Sequence, residues 1–166
     1  MSEIVRRLLG WITVILILAT QTAHATEPLV IYANGIKPGW FVGGWSKYTM
    51  DKAFDDGSKP VTVNMAAWNA ITFQTQSPVS VEGYSIFTIV VHGGAKGKQN
   101  VQLSFKLGDK EVSKRVDLAP RKGEWLRIDV PVAKLKVVGN KFDTVFINNG
   151  SPNSVDEYSI NFVLLQ

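Results

Sequence analysis

Apolar and polar residues alternate along most of this chain, and glycine, proline and asparagine cut the alternation into short pieces. Alternation sends successive side chains to opposite faces, so each piece reads as a strand with one buried side. LVIYA (29–33) runs into Asn34-Gly35, a strong turn pair. KYTMDKAF (47–54) alternates and stops at Asp55-Asp56-Gly57. VTVNM (61–65) and AITFQT (70–75) flank residues 66–69 and read as one kinked strand or a hairpin. YSIFTIVVH (84–92) is the most apolar run, ends at Gly93-Gly94, and is expected at the centre of a sheet. VQLSFKL (101–107) and EVSKRVDL (111–118) flank a Gly108-Asp109 hairpin turn, and WLRIDV (125–130), FDTVFIN (142–148) and YSINFVLL (158–165) complete the series.

A helical period is missing except for one turn at Pro131–Leu135. Some eight to ten short strands at regular spacing predict a single antiparallel β-sandwich or jelly roll, an all-β fold. Inward-facing candidates are Val61, Val63, Ile71, Phe73, Phe87, Ile89, Val91, Leu103, Phe105, Leu107, Ile128, Val130, Phe146, Ile160, Phe162 and Leu164. No repeat or linker divides the chain.

Residues 1–25 are set apart from that domain. Arg6-Arg7 precede the apolar stretch LLGWITVILILAT, and Ala23-His24-Ala25 then has the small-x-small form of a cleavage site. The stretch is shorter than a membrane span, so a cleaved leader, export to a secreted or periplasmic location and no stable membrane insertion are expected. The remaining domain, 26–166, is expected to be a monomer. It has no cysteine, so its core must hold it without disulfides, and thiol chemistry is excluded. The net charge of +4 is spread over scattered lysines and arginines. No basic helix or run marks a nucleic-acid site, although a preference for anionic polymers stays open.

Chemistry-bearing residues are few. Trp40, Trp45 and Trp68 sit beside glycine or asparagine breaks, in PGWFVGGWS and AAWNA. Indoles presented from strand ends suit stacking on the C–H face of a sugar ring, and they equally suit plugging the end of a sandwich. Asn69 places an amide beside Trp68, and His92 ends the most apolar strand, where its imidazole offers one donor and one acceptor. Trp125 opens a strand and reads as cover for the core edge. If strands 70–75 and 84–92 pair, the loop after the first strand, the Trp68 break and the Gly93-Gly94 turn converge on one site. Asp55, Asp56, Asp109, Asp143, Asp156 and Glu157 read as turn or loop residues, and Glu82 and Glu124 lie beside glycines; none of these sits inside an apolar strand where burial would raise its pKa, which argues against an enzyme and leaves the catalytic set empty. No cofactor or bound metal is expected. A structural calcium ion would have to draw on loop carboxylates and carbonyls, since no D-x-[DN]-x-[DN]-G loop occurs. Asn149-Gly150-Ser151 spells a glycosylation sequon with Pro152 behind it.

Taken together, IYANGIKPGWFVGGWS, AAWNAITFQT, IFTIVVHGG, GEWLRIDVPVAKL and YSINFVLL resemble secreted galactose-binding-like jelly-roll domains of the carbohydrate-binding-module type. The resemblance covers nearly all of residues 29–165. It implies non-catalytic binding of a polysaccharide or cell-wall glycan in a lectin-like manner, with Trp40, Trp45, Trp68 and His92 at the matching positions. Two departures stand out: Asn34 and Asn161 occupy places where such domains often carry acidic residues, which weakens a calcium site. The competing expectation is a structural or adhesive surface protein that binds another protein through the same aromatic patch.

Overall fold

The computed structural model describes residues 26–50 and 52–166, so the expected leader and its cleavage site lie outside the described residues. Twelve strands appear among them: β1 (Leu29–Ala33), β2 (Trp40–Gly44), β3 (Lys47–Thr49), β4 (Val61–Met65), β5 (Ala70–Ser80), β6 (Ile86–His92), β7 (Val101–Leu107), β8 (Lys110–Glu111), β9 (Val116–Asp117), β10 (Trp125–Pro131), β11 (Lys141–Asn149) and β12 (Val155–Leu165). One helical turn, α1 (Val132–Leu135), follows β10 where the sequence predicts it. No described helix is long and apolar enough to cross a membrane.

The strands form two antiparallel sheets. The back sheet runs β10-β6-β12-β4-β3, with β1 also paired to β12; the front sheet runs β2-β5-β11-β7-β8, with β9 also paired to β7. Phe87, Ile89, Val91, Val61, Val63 and Ile160 from the back sheet meet Ile71, Phe73, Leu103, Phe105, Val145 and Ile147 from the front sheet in one buried core. The expected β-sandwich is therefore the fold.

Several expectations need correction. First, β4 and β5 are neither one kinked strand nor a hairpin: residues 66–69 carry the chain from the back sheet to the front. Secondly, β5 and β6 do not pair, because they lie in opposite sheets. Thirdly, the strand expected over 47–54 is cut to Lys47–Thr49, and β6 is interior but not central, since β12 takes the middle position. Lastly, Phe162 and Leu164 leave the core. A bulge between Ile160 and Phe162 inserts Asn161, which reverses the parity of the strand and turns Val163 and Leu165 inward instead. Phe146 is also outward, flanked by buried Val145 and Ile147.

The two asparagines noted as departures are joined. Asn161 Oδ1 accepts the Asn34 backbone N–H at 3.3 Å, and Asn34 Oδ1 accepts that of Lys59 at 3.2 Å. Amide hydrogen bonds thus tie the end of β1 to the β12 bulge. Among the described residues, no group of three or more His, Asp or Glu side chains is placed to share a metal ion.

Candidate functional site

The outer surface of the front sheet is where exposed aromatic and polar side chains coincide. Register identifies it. Phe146 of β11 lies opposite Thr72 of β5 and Ser104 of β7, and Asn148 lies opposite Ala70 and Gln102. Phe41 of β2 stands opposite Gln74 on the same face and is 46% exposed. Lys106 Nζ lies 4.6 Å from the centre of the Phe146 ring, a cation held over an aromatic face.

Trp45 completes this surface. Its indole is 70% exposed and meets Phe146 edge-on at 6.5 Å, so it reaches over the small residues at the end of β5. The backbone beneath it is pinned from both sides. Trp45 N–H donates to the Ala70 carbonyl at 2.9 Å, and Asn69 Nδ2 donates to the Trp45 carbonyl at 3.0 Å. Gly44 makes this approach feasible: its φ is +113°, and a Cβ there would strike the Ala70 carbonyl. A rigid backbone therefore presents a nearly free indole, the arrangement a stacking platform requires.

Polar groups surround the rings. Gln102 Nε2 donates to Asp117 at 2.9 Å, and Arg115 grips Glu111 through two nitrogens at 2.8 to 3.2 Å. The Arg115 guanidinium holds the Glu111 carboxyl below its usual range, so that group stays an anion. Thr72 Oγ1 and Asn148 Oδ1 are buried beneath this face without a hydrogen-bond partner among the described residues. Such groups cost stability where they are left unmet.

The sequence-nominated residues divide three ways. Trp45, Trp68 and Asn69 gather at one end of the sandwich. Trp68 is 65% exposed, has φ +61°, and its N–H donates to the Ser151 carbonyl at 3.3 Å. A notch of about 570 Å³ beside them is bounded by Trp45, Asn69, Lys47, Asn64 and Glu157. Trp40, at the opposite end of β2, is half-buried and turns its ring toward buried Phe142 at 6.1 Å. It packs on the margin of the core.

His92 does not join them, because β6 belongs to the back sheet. It stands directly opposite Trp125 of β10 on the outer surface of that sheet. The two rings are 5.1 Å apart, and Phe54 packs on both, at 5.2 Å from each. His92 Nδ1 accepts the Gly94 N–H at 3.0 Å. Trp125 Nε1 donates to Asp56 at 3.1 Å, and Lys52 pairs with Glu157 at 2.8 Å. Residues 52–58 thus form a strap across the back sheet, and Trp125 covers that outer face instead of the core edge. The sequon is also spent internally. Asn149 is fully buried, with Nδ2 donating to the Ala66 and Asn153 carbonyls.

Three carboxyls of this back surface sit below the usual range. Ser58 and then Trp125 lower Asp56, Thr88 and then Arg127 lower Asp129, and Lys52 and then Asn64 lower Glu157. A depressed folded pKa means the folded state favours the anion. The resulting stability is present above the unfolded values near about pH 4 and is lost as pH falls through the folded ones. The melting temperature is accordingly expected to fall with acid below about pH 4, and the Asp56→Asn/Glu157→Gln double variant should show a shallower fall. Identical acid slopes for the two proteins would remove the strap from the account.

Sequence reasoning misses Phe41, Gln74, Gln102 and Lys106 as site residues and assigns Phe146 to the core. One signal bears on Phe41 alone. Trp40 and Trp45 are an odd number of residues apart, so an extended chain must place them on opposite faces. Phe41 then shares the outer face with Trp45.

No protein-family model and no curated protein sequence matches the chain. Solved structures do. A variant of the family 29 carbohydrate-binding module CBM29-2, complexed with mannohexaose, superposes with a TM-score of 0.60 at 15% identity, over 84% of this chain and 90% of that one. Another variant, complexed with cellulohexaose, gives 0.58 at 15% identity, over 84% and 89%. CBM29_1 from Piromyces equi gives 0.54 at 15% identity, again over 84% and 89%. The chain has the β-sandwich jelly-roll fold of these modules.

Proposed function

We propose that this chain binds polysaccharide without altering it, through the outer surface of the front sheet. The observation that carries the proposal is the exposed, backbone-pinned indole of Trp45 beside Phe146, on a sheet face that also offers Gln74, Gln102 and Lys106. Sugar rings combine an apolar C–H face with equatorial hydroxyls. Flat rings interspersed with amides answer both features. The solved neighbours that share the fold hold mannohexaose and cellulohexaose, which favours a β-linked hexose polymer here too.

A non-catalytic role fits the carboxylates of this face. Glu111 is committed to Arg115 and Asp117 to Gln102, so neither stands as a free acid beside the rings. Trp45, Trp68 and Asn69 are assigned to the site. Trp40 supports it from beneath, and His92 serves the strap on the other sheet. Export through a leader cleaved after Ala25, as a monomer, belongs to the same reading, because the polymers concerned lie outside the cell.

The test is a glycan array with polysaccharide pull-down, alongside intact-mass measurement of exported protein. Binding to β-glucans or mannans without release of reducing sugar, by a species starting at Thr26, is the expected result. Clean glycan results together with capture of one stoichiometric protein partner would transfer the aromatic face to protein recognition. Release of reducing sugar would make the chain an enzyme.

A further inference from the structure

The front face leads somewhere. Ala70, Asn148, Gln102 and Asp117 lie opposite one another in successive register pairs, and the Ala70 carbonyl holds the Trp45 N–H. Trp45 and Asp117 therefore bound a single row that crosses the strands from β2 to β9. Four inter-strand steps of roughly 4.8 Å make the row about 19 Å long. That length accommodates a short oligosaccharide.

Beyond Asp117 the row opens into a cleft of about 710 Å³ between the β6–β7 and β9–β10 loops, lined by Lys96, Lys98, Gln99, Arg121 and Lys122. Its charge is one-sided. Lys96 pairs with Asp156 at 2.8 Å, but among the described residues Lys98, Arg121 and Lys122 have no ion-pair partner. Asp117, the one acid in the lining, is engaged by Gln102.

The cleft is also built. Lys98 N–H donates to the Pro120 carbonyl at 2.8 Å, Gly93 N–H to Arg121 at 2.9 Å and Gly123 N–H to Gly94 at 2.9 Å, so the two loops are sewn together. Lys98 and Ala119 are held in the left-handed region, at φ +59° and +41°. Non-glycine residues persist there only where surrounding structure imposes it. Gln99 is 4% exposed, and its Nε2 donates to the Gly93 and Glu157 carbonyls. That fixes the amide orientation and leaves Oε1 as a buried acceptor without a donor among the described residues.

We infer that this cleft receives an acidic sugar unit, bearing a carboxylate or a sulfate ester, of the polysaccharide whose neutral units stack on Trp45. The inference rests on the reading of the front face as a glycan platform and names the substrate class more narrowly. Arg121 offers a planar fork to the anion, and the two lysines add compact charge. A nucleic acid would need the positive charge to continue along the surface. Along the row it stops at the cleft: Gln102, Asn148, Ala70 and Trp45 carry no charge, and Lys106, held over Phe146, lies outside the row.

Binding should be measured for matched hexasaccharides, one neutral, one uronate-bearing and one sulfated, with the wild-type chain, Trp45→Ala and the triple variant Lys98→Glu/Arg121→Glu/Lys122→Glu. All three reversed side chains are exposed, so the fold should survive, and circular dichroism checks it. The wild type should prefer an acidic sugar roughly tenfold at low salt, with the advantage shrinking as salt rises. The triple variant should lose that preference and keep its affinity for the neutral sugar, while Trp45→Ala should weaken both. The arm that shows the preference tells carboxylate from sulfate. Equal affinity of the wild type for neutral and acidic sugars, or a preference that survives charge reversal, overturns the inference and leaves the platform standing. Acidic binding indifferent to Trp45→Ala marks generic attraction of polyanions and also overturns it. Failure to bind any of the three removes the platform and the inference together.

Discussion

Truncation of Phe105 to alanine should cost about 3 to 5 kcal/mol of unfolding free energy, the largest single loss expected in this chain. Phe105 is fully buried in the front sheet. Its ring stacks on Phe142 at 4.3 Å with an interplanar angle of 18° and meets Phe87 of the back sheet edge-on at 5.2 Å. Phe142 in turn backs Trp40. Removing the central ring therefore leaves a cavity at the contact between the sheets and takes support from two aromatic neighbours, Phe142 and Phe87. Strands limit how far such a cavity can collapse, since each is tied by ladder hydrogen bonds on both sides. A domain of this size is held by about 5 to 15 kcal/mol in total, so the loss is a large share. Urea titration should show a lower midpoint with an unchanged slope. A loss below about 1 kcal/mol would mean that the sheets close over the gap and that this stack does not anchor the core.

Strands were easier to read from the sequence than the faces they present. Val61–Met65 and Val101–Leu107 are strands over the predicted residues, because alternation and flanking turn residues are local properties. Sheet membership is not local. Residues 66–69 look equally suited to a hairpin or to an arch between sheets, and only packing of the two hydrophobic faces selects the arch. The consequence was large: placing β5 beside β6 would have brought His92 to the tryptophans, whereas the arch sends it to the opposite surface. Parity failed for a different reason. A bulge adds one residue and reverses every side chain beyond it, so Asn161 turns Phe162 and Leu164 outward without any change in composition. The apolar triplet Val145-Phe146-Ile147 hides its orientation in the same way, and with it the ring that Trp45 meets. The exposure of Trp45 and Trp68 was legible because glycine and asparagine mark breaks in the ladder where a ring can stay in solvent. Phe41 and Phe146 were not, since a phenylalanine within a strand is ordinarily core.

Replacement of Trp45 by alanine should weaken glycan binding by about 1 to 3 kcal/mol while leaving the melting temperature nearly unchanged. The two halves of that expectation have separate causes. Most of the indole is in solvent, so folding gains little from it. The hydrogen bonds that hold residue 45 in place are made by its backbone, with Ala70 and Asn69, and survive the truncation. Binding, in contrast, loses the largest flat surface on the front face. Phe146→Ala should weaken binding less. The Trp45/Phe146 double variant should fall short of the sum, because the rings touch at 6.5 Å and one positions the other. Trp68→Ala should act independently if its ring contacts a more distant sugar unit. Trp125→Ala is the control on the opposite surface. It removes the partner of His92, Phe54 and Asp56, so it should lower stability and leave glycan affinity alone. Isothermal titration on variants matched for thermal unfolding separates these effects. Loss of binding in Trp125→Ala with full affinity retained by Trp45→Ala would move the glycan to the back sheet and make the strap of residues 52–58, not the front platform, the element that governs access to it.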